Sequence, residues 1–357
     1  MGQKKTVVHI IGTGTIGEPL IGLFCAYRRE LGIDEVTFHK RTPLLRDRSK
    51  VRALQSRGAR LVTSEDAVEA FKDLGIQPSY THEQALEQAT VVVDCTPVGN
   101  KNKDKLFRKF ESKVNGFIAQ GSEFGFGKMY ARGVNDRALV PGEDKYVQVV
   151  SCNTHNIAVL LHSIGYKDGR DYDNLVEGKF LCLRRANDIS QSDKFIPAPA
   201  VGVHDDAEFG THHAHDVYHL FETLGVKPKI WSSSVLLNTQ YMHAIWFDIR
   251  TREEASLEDV IERFRRNDRI SLTHKRESNE VFSFGRDHGH FGRILNQTVI
   301  PHETIAVRGK HEVIGFSFTS QDGNSLLSSI AATCWFIDPA TYETRFQCLK
   351  PFFFDEV

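Results

Sequence analysis

A glycine-rich turn between a strand and a helix, near the start of the chain, places the strongest constraint on the fold. Residues 6–11 are rich in β-branched side chains, which predicts a buried strand, and residues 19–29 have the apolar spacing of a helix. The turn between them matches G-x-G-x-x-G, which in this position indicates a dinucleotide site. We expect Gly12 to permit the tight turn, Gly14 to admit the pyrophosphate and Gly17 to allow close helix packing. The residues of the turn are Gly12, Thr13, Gly14, Thr15, Ile16 and Gly17.

The second predicted strand, at residues 35–38, ends in a basic segment. A site specific for NAD usually has an acidic residue there, which bonds the ribose hydroxyls. Two cations and a hydroxyl can instead bind a 2′-phosphate, so we expect NADP as the cofactor, with NAD also accepted. The alternative is a solvated basic loop without a ligand. The segment consists of His39, Lys40, Arg41 and Thr42.

Strands and helices alternate up to residue 150, which predicts an α/β fold with a parallel, doubly wound Rossmann sheet. Ligands bind at the carboxyl edge of such sheets, so the loops after the strands at 90–95 and 116–120 join the candidate cofactor site. They contribute Thr96, Pro97, Gln120 and Gly121. Beyond residue 152 the pattern predicts an α+β catalytic domain with a mostly antiparallel sheet. The predicted domains are 1–151, joined by a closing helix at 322–357, and 152–321.

A cysteine lies where the last strand of the first domain passes into a helix. Cys152 follows an apolar strand at 146–150 and precedes an apolar helical segment at 157–161. The unpaired N–H groups and the positive dipole end of that helix would stabilise a thiolate, which can attack a carbonyl carbon. The alternative is that this thiol fills space, as most free cysteines do.

Composition excludes several classes of protein. The formal net charge is −1, which argues against a nucleic-acid or membrane partner. No apolar run approaches the length of a membrane span. Six cysteines are scattered without a CxxC pair, which argues against a disulfide framework or zinc ribbon and favours a reducing cytoplasm. We therefore expect a cytoplasmic enzyme with a small-molecule substrate.

Arginines and histidines of the second domain are candidate ligands for an anion. Arg184 and Arg185 are adjacent on a predicted strand, so only one of them usually faces a given site. Anion binding and an ordinary surface ion pair remain open for them. His243, within a predicted apolar strand, becomes a candidate proton-transfer partner because an imidazole titrates near neutrality.

A cluster of histidines at residues 212–219 has some features of a metal site, since His215 and His219 would share a helix face. The glutamate of an HExxH motif is missing, and no cysteine lies nearby. We therefore expect no metal there, and favour contact with phosphate or capping of the helix start. The cluster comprises His212, His213, His215 and His219.

With these pieces assembled, the chain resembles the archaeal-type glyceraldehyde-3-phosphate dehydrogenases over nearly its whole length. The segment Ser-Cys-Asn-Thr at residues 151–154 is the most specific match. The other matching pieces are the glycine-rich turn, Lys40, residues 94–97, Gln120 and Gly121, Arg184 to Ala186, His212 and His213, and Met242 and His243.

The resemblance implies that Cys152 forms a thiohemiacetal and then a thioester, with Asn153 beside it, and that His243 is the acid/base. It also implies a homotetramer that oxidises glyceraldehyde 3-phosphate, with inorganic phosphate as acyl acceptor and water as the alternative. The residues assigned to substrate or phosphate are Ser151, Thr154, Arg184, Arg185, His212 and His213.

Departures from the family pattern follow directly after Thr154. The family has a second threonine and, farther on, an arginine, where this chain has His155 and Val159. The family's acidic Gln-Glu-Ser-Asp stretch is here residues 320–323. Loss of a hydroxyl and a cation weakens the prediction of a phosphate-bearing substrate, and His155 could itself assist proton transfer. The alternatives are a dehydrogenase of another aldehyde or semialdehyde, and a nucleotide-binding paralogue without catalysis.

Overall fold

The computed structural model describes residues 5–188, 191, 195–320 and 322–357, and the chain divides into two compact units. Unit 1 comprises Met1–Lys128, Leu139–Val149 and Ser328–Lys350, and unit 2 comprises Met129–Ala138, Val150–Leu327 and Pro351–Val357. The sequence predicts breaks after residues 151 and 321. In the structure the chain instead leaves unit 1 after Val149 and returns at Ser328, and its last segment, Pro351–Val357, belongs to unit 2.

The first sheet has the strand order β4-β3-β2-β1-β5-β6-β8-β7. Neighbouring strands from β4 through to β8 run parallel, which confirms the predicted doubly wound sheet. All residues of β1 are buried, as expected for a parallel strand covered on both faces. The order reverses at β1 and β5, whose carboxyl ends define the switch point where such sheets bind ligands. The strands are β1 Val7–Ile11, β2 Glu35–His39, β3 Arg60–Thr63, β4 Tyr80–Thr81, β5 Val91–Asp94, β6 Gly116–Gln120, β7 Lys128–Tyr130 and β8 Tyr146–Val149.

Short helices connect these strands. The helical segment after β2 begins as a 3₁₀ turn, Leu45–Asp47, which leads directly into the α-helix Arg48–Ser56. A stacked pair, Phe107 and Phe117, with ring centroids 5.0 Å apart, lies in an apolar cluster of this unit. The helices are α1 Gly17–Ala26, α2 Arg48–Ser56, α3 Val68–Asp73, α4 His82–Gln88 and α5 Gly99–Lys105.

The second sheet has the order β10-β11-β9-β12-β16-β14-β13, with β15 paired to β16. It is antiparallel except where β9 pairs with β11 and β13 pairs with β14, in agreement with the prediction of a mostly antiparallel sheet. His243 was predicted inside a strand but lies one residue before β12. The strands are β9 Leu175–Arg184, β10 Ala200–Val201, β11 Ile230–Leu236, β12 Ala244–Thr251, β13 Ile270–Thr273, β14 Thr298–Pro301, β15 Ala306–Arg308 and β16 Glu312–Phe318.

The central helix of unit 2 begins at Cys152 and is buried from Asn153 to its end. It continues as a π-helical turn, Leu161–Gly165, and its apolar residues belong to a large apolar cluster of this unit. The remaining helices are α6 Cys152–Leu160, α7 His212–Glu222, α8 Leu257–Arg265, α9 Ser278–His288, α10 Gly323–Ile337 and α11 Tyr342–Arg345. Across the described residues, no helix has both the length and the apolar character that a membrane crossing requires.

Candidate functional site

The glycine-rich turn has a backbone that side chains would disturb. Gly12 has a φ of +97°, in the left-handed region that favours glycine. A Cβ added at Gly17 would lie 2.1 Å from the carbonyl oxygen of Gly12, whereas one added at Gly14 would meet nothing within 4 Å. The absence of a side chain at Gly17 therefore lets α1 start close to the turn. Gly14 leaves open space beside the backbone, as a bound pyrophosphate requires.

A cavity at the carboxyl edge of the first sheet collects predicted residues from separate loops. Those that line it are Gly12, Thr13, Lys40, Arg41, Thr42, Thr96 and Pro97. Gln120 and Gly121 are not among its lining residues. The Gln120 amide is buried and donates a hydrogen bond to the Ser329 hydroxyl at 2.8 Å. The structure thus brings the basic segment and the loop after β5 to the glycine-rich turn, and it places Gln120 elsewhere.

The loop after β5 is organised by a buried carboxylate. Asp94 accepts hydrogen bonds from the Thr96 backbone N–H at 2.9 Å and from the Thr96 hydroxyl at 2.6 Å. Its other oxygen accepts from the Asn102 amide at 2.7 Å. The Thr96 hydroxyl therefore has its proton committed to Asp94, and this residue can offer a ligand only its lone pairs.

The basic segment after β2 is not free of carboxylates, contrary to the expectation from its own residues. Lys40 Nζ lies 2.6 Å from Asp47 Oδ2 in a partly buried ion pair. Burial raises the pKa of the Asp47 carboxyl, but the hydrogen bond and charge of Lys40 outweigh it, so the net shift is downward. Half of the predicted cationic charge is thus partnered within the protein, while Arg41 and Thr42 line the cavity.

Two residues of this cavity region escaped the sequence analysis. Lys50 Nζ donates to the Thr13 carbonyl at 3.2 Å and lies 3.3 Å from the carboxylate of Glu18. His82 lines the cavity with its ring centroid 4.3 Å from that of His39. Burial lowers the pKa of both imidazoles, that of His39 to about 3, so this wall of the cavity is neutral. Both contacts join residues far apart in sequence, which no local pattern indicates.

The candidate nucleophile lies at the start of α6, behind a capped turn. The Ser151 hydroxyl accepts from the Thr154 backbone N–H at 3.3 Å and lies 2.8 Å from the Thr154 hydroxyl. Burial raises the pKa of the Cys152 thiol to about 12, and Asp322 adds to the rise, while Arg185 and the Asn153 backbone N–H oppose it. The sequence analysis expected a thiolate at this helix start. In the structure, burial outweighs the helix end and Cys152 rests as a thiol.

His243 is held in one tautomer by a backbone group. Its Nδ1 accepts a hydrogen bond from the Arg185 backbone N–H at 3.0 Å. Burial lowers the pKa of this imidazole well below its usual range, and the charges of Arg185 and Arg184 lower it further. The ring is therefore neutral and, because Nδ1 carries no proton, its Nε2 carries one. His243 is poised as a hydrogen-bond donor.

The adjacent arginines have separate environments, as alternation along a strand predicts. Arg185 is only 4% exposed, with its Nη2 lying 2.8 Å from Asp188 Oδ1 and 3.5 Å from Asp322 Oδ1. Arg184 lines a cavity at the start of α7 together with His212 and His215. The structure thus places Arg184 with His212 beside an open cavity, and commits Arg185 to two carboxylates.

A buried polar network surrounds the first turn of α6. The side-chain oxygen of Asn153, Oδ1, accepts a hydrogen bond from the Thr319 hydroxyl at 3.0 Å, and its side-chain nitrogen, Nδ2, lies 3.3 Å from Nε2 of His213. Nδ1 of His213 lies 3.0 Å from the hydroxyl of Thr211. Asn153 and His213 are therefore both engaged with the protein and buried. The His212 ring, whose centroid lies 4.0 Å from that of His213, lines the cavity, whereas His213 does not.

His155 is fully buried, and its Nδ1 donates to the Ser151 carbonyl at 3.0 Å. Burial lowers its pKa to about 4. A neutral ring that is fixed to the backbone of the preceding turn is a structural element of α6, which argues against proton transfer by this residue.

The histidines at 212–219 form ring contacts with one another. The His215 and His219 centroids are 4.5 Å apart, and His219 Nδ1 lies 2.9 Å from the Glu222 carboxylate. Within the described ranges, the residues that could jointly hold a metal ion are a different set, namely His274, His302 and Glu303.

Comparison with known proteins gives modest identity over most of the chain. The chain is 30% identical over 316 residues to the glyceraldehyde-3-phosphate dehydrogenase of Methanopyrus kandleri, covering 84% of this chain and 83% of that protein. It is 27% identical over 315 residues to the enzyme of that name from Sulfolobus acidocaldarius, covering 85% and 84%. With that of Thermococcus sibiricus it shares 29% over 313 residues, covering 85% and 86%. No protein-family model matches the chain.

Proposed function

The chain belongs to the archaeal-type glyceraldehyde-3-phosphate dehydrogenase family, and from this premise we propose that it oxidises glyceraldehyde 3-phosphate through a thioester on Cys152. One observation carries the proposal: a partly buried thiol lies at the start of α6 in the same unit as a neutral, oriented imidazole, His243. A thiol and an imidazole are the groups that thioester chemistry needs.

The cofactor in this proposal is NADP, with NAD also accepted. The cavity at the switch point of the first sheet fits a dinucleotide, because Gly12 lines it together with Arg41 and Thr42. At Gly14, farther along the same turn, an added Cβ would meet nothing within 4 Å. Lys40 contributes less positive charge than its position suggests, since Asp47 partners it. When bound, the nicotinamide supplies the acceptor for a hydride.

The residues of unit 2 carry the covalent chemistry. The sulfur of Cys152 attacks the aldehyde carbon, and the backbone N–H groups at the start of α6 and Nε2–H of His243 stabilise the oxygen that becomes negative. Loss of a hydride from the same carbon, to the acceptor that a bound nicotinamide would supply, would turn this adduct into a thioester. Inorganic phosphate then cleaves the thioester. Asn153, Thr319 and His213 hold the first turn of α6 in place through their buried hydrogen bonds.

The phosphate group of the substrate is assigned to Arg184 and His212, which line one cavity at the first turn of α7. A guanidinium and the N-terminus of a helix both favour an anion. Asp205 and Asp206 line the same cavity and disfavour an anion. Val159 stands where the family has a cation, and it is fully buried, so it supplies no charge for a phosphate. The second candidate substrate is therefore an aldehyde or semialdehyde without a phosphate.

Reduction of NADP and NAD by a panel of aldehydes, with and without inorganic phosphate, tests the proposal. We expect glyceraldehyde 3-phosphate to be oxidised fastest, with a rate that depends on phosphate. The matched control is Cys152→Ser, which should be inactive. Turnover of an unphosphorylated aldehyde alone would favour the second candidate, and no turnover of any aldehyde would refute the dehydrogenase. The homotetramer implied by the family is checked by light scattering.

A further inference from the structure

Two histidines and a glutamate near one edge of the second sheet have no part in the chemistry above. His274 directly follows β13, and His302 directly follows β14. The two strands pair in parallel with Thr273 opposite Pro301, so the histidines occupy equivalent positions at the same end of the pair. Glu303 comes next in the chain after His302. One potential ligand atom from each of the three side chains lies within 4.8 Å of the other two.

The three side chains are close to the arrangement that a metal ion requires. Nδ1 of His274 lies 2.5 Å from Oε1 of Glu303, and the ring centroids of His274 and His302 are 5.3 Å apart. Around a tetrahedral ion with bonds of about 2.0–2.1 Å, neighbouring ligand atoms are about 3.3 Å apart, so movements of about 1 Å bring the three atoms to one ion. His274 and Glu303 are exposed, and their side chains can move this far without disturbing the core.

The backbone segments that carry these side chains are held by hydrogen bonds. The Thr273 hydroxyl, just before His274, donates to the main-chain oxygen of Val357. After β14, the Thr304 hydroxyl donates to the Pro301 carbonyl at 2.8 Å and accepts from the Phe316 backbone N–H at 3.1 Å. Ligands that are positioned before an ion binds lose less conformational freedom on binding, which favours affinity.

The donor atoms indicate the class of metal. Two imidazoles and a carboxylate suit Zn²⁺ and related divalent transition-metal ions, whereas Mg²⁺ and Ca²⁺ take oxygen ligands. The exposed Glu356 lies opposite Leu272, two positions before His274, and adds negative charge to this part of the sheet. The adjacent cation, Lys275, has its ammonium over the Phe284 ring, 5.5 Å from the centroid.

We propose that His274, His302 and Glu303 bind one divalent transition-metal ion of the zinc class, with water completing the coordination. The site is independent of the proposed function, because none of its ligands takes part in that chemistry. The ion links the end of β13, the last strand in the order of the second sheet, to the turn after β14. Because the ligands come from segments that are brought together by folding, binding of the ion stabilises the folded protein.

The test measures the affinity of the full chain for Zn²⁺, by competition with a chromophoric chelator after removal of metal by dialysis. Cys152→Ser serves as the background, so that zinc held by this thiol does not contribute. Three variants each remove one ligand, namely His274→Gln, His302→Gln and Glu303→Gln. Co²⁺ is the spectroscopic probe, since its absorption shows whether a thiolate is bound to the metal.

The matched control is His219→Gln. Nδ1 of His219 also lies 2.9 Å from a glutamate, Glu222, and its ring centroid is 4.5 Å from that of a second histidine, His215. These three residues have the same composition as the proposed site. Within the ranges that the structure describes, however, they do not bring three ligand atoms within binding distance of one another.

We expect one zinc ion per chain to bind at micromolar concentration or below, and excess Mg²⁺ or Ca²⁺ not to displace it. Loss of an outer hydrogen-bond partner of a metal ligand typically costs ~10–100-fold in affinity, so each ligand variant should bind at least about 100-fold more weakly. His219→Gln should bind as the background protein does. Zinc should raise the melting temperature of the background protein and of His219→Gln, but not that of the ligand variants.

Equal affinities in the background protein and the ligand variants would overturn the inference, and so would the absence of stoichiometric zinc binding. A thiolate band in the Co²⁺ spectrum, or an equal loss of affinity in His219→Gln, would place the ion elsewhere and refute the site. Circular dichroism of the metal-free proteins establishes that each variant is folded. Aldehyde oxidation is not part of the readout, so the result is decided separately from the proposed function.

Discussion

Replacement of His243 by asparagine is the sharpest test of how the site handles the substrate oxygen. In the structure a backbone N–H fixes Nδ1 of His243 at 3.0 Å, so that Nε2–H is the donor available to a ligand. Asparagine is shorter and cannot keep a hydrogen bond to the Arg185 backbone while its amide reaches the position of Nε2. We therefore expect His243→Asn to remove one donor from the developing oxyanion without disturbing β12.

The loss of one oxyanion donor costs ~2.7–4 kcal/mol, or about 10²–10³ in kcat. This lies within the ~10²–10⁴ range for losing a general acid/base. Because the interaction strengthens only in the transition state, KM should change by less than about threefold. Burial and the nearby arginines lower the pKa of His243, so its protonation is disfavoured in the folded site. The wild-type rate should therefore not fall through titration of His243 as pH drops through the ordinary histidine range.

Steady-state kinetics across pH measures the predicted loss in kcat. ¹⁵N NMR of histidine-labelled protein measures the protonation and tautomer of His243. The NMR spectrum should show a neutral His243 ring with its proton on Nε2. His155→Asn is the comparison, with an expected effect on kcat below about threefold, because His155 is buried and bonded to the Ser151 carbonyl. A proton on Nδ1 of His243, or a kcat that survives in His243→Asn but collapses in His155→Asn, would refute the assignment.

Three further predictions concern the nucleophile, the cofactor and the turn. Cys152→Ser should abolish turnover while the affinities for NADP and NAD, measured by titration, stay unchanged; retained dehydrogenase activity would remove the covalent mechanism. Asp47→Asn should release Lys40 and raise the NADP-to-NAD affinity ratio by up to about tenfold, ~1.4 kcal/mol, and an unchanged ratio would show that Lys40 does not bind the 2′-phosphate. Gly17→Ala forces a Cβ against the Gly12 carbonyl and should lower the free energy of unfolding by about 1–3 kcal/mol, measured with urea; an unaltered midpoint would contradict the contact.

The architecture of unit 1 is predictable because its signals are local. Each strand of the first sheet is a short β-branched run, and the glycine-rich turn lies between two such signals. A positive φ at Gly12 and the close approach at Gly17 follow from the motif alone. Since parallel strands place their carboxyl ends on one edge, the meeting of this turn with Thr96 also follows from strand order.

The electrostatics could not be predicted, because they depend on partners distant in sequence or on burial. Asp47 neutralises Lys40 from the turn before α2, which no property of the strand end reveals. Burial has the largest effect on the Cys152 pKa and charged neighbours come second, so the position at a helix start does not predict the direction of the shift. Gln120 has the position of a cofactor ligand, yet its amide is bonded to Ser329. The role of Gln321, in the altered acidic stretch, lies outside the described residues.

Arg184 and Arg185 are adjacent in sequence, but strand alternation and burial give them different surroundings. Two carboxylates neutralise Arg185, so this guanidinium, although close to the thiol, cannot by itself hold a thiolate at rest. A bound anionic substrate would raise the thiol pKa further, since negative charge nearby disfavours the thiolate. Arg184 faces the cavity and can neutralise such a substrate at its own position, away from the carboxylates around Arg185. The nucleophile is therefore best formed only during attack, as the proton leaves the sulfur.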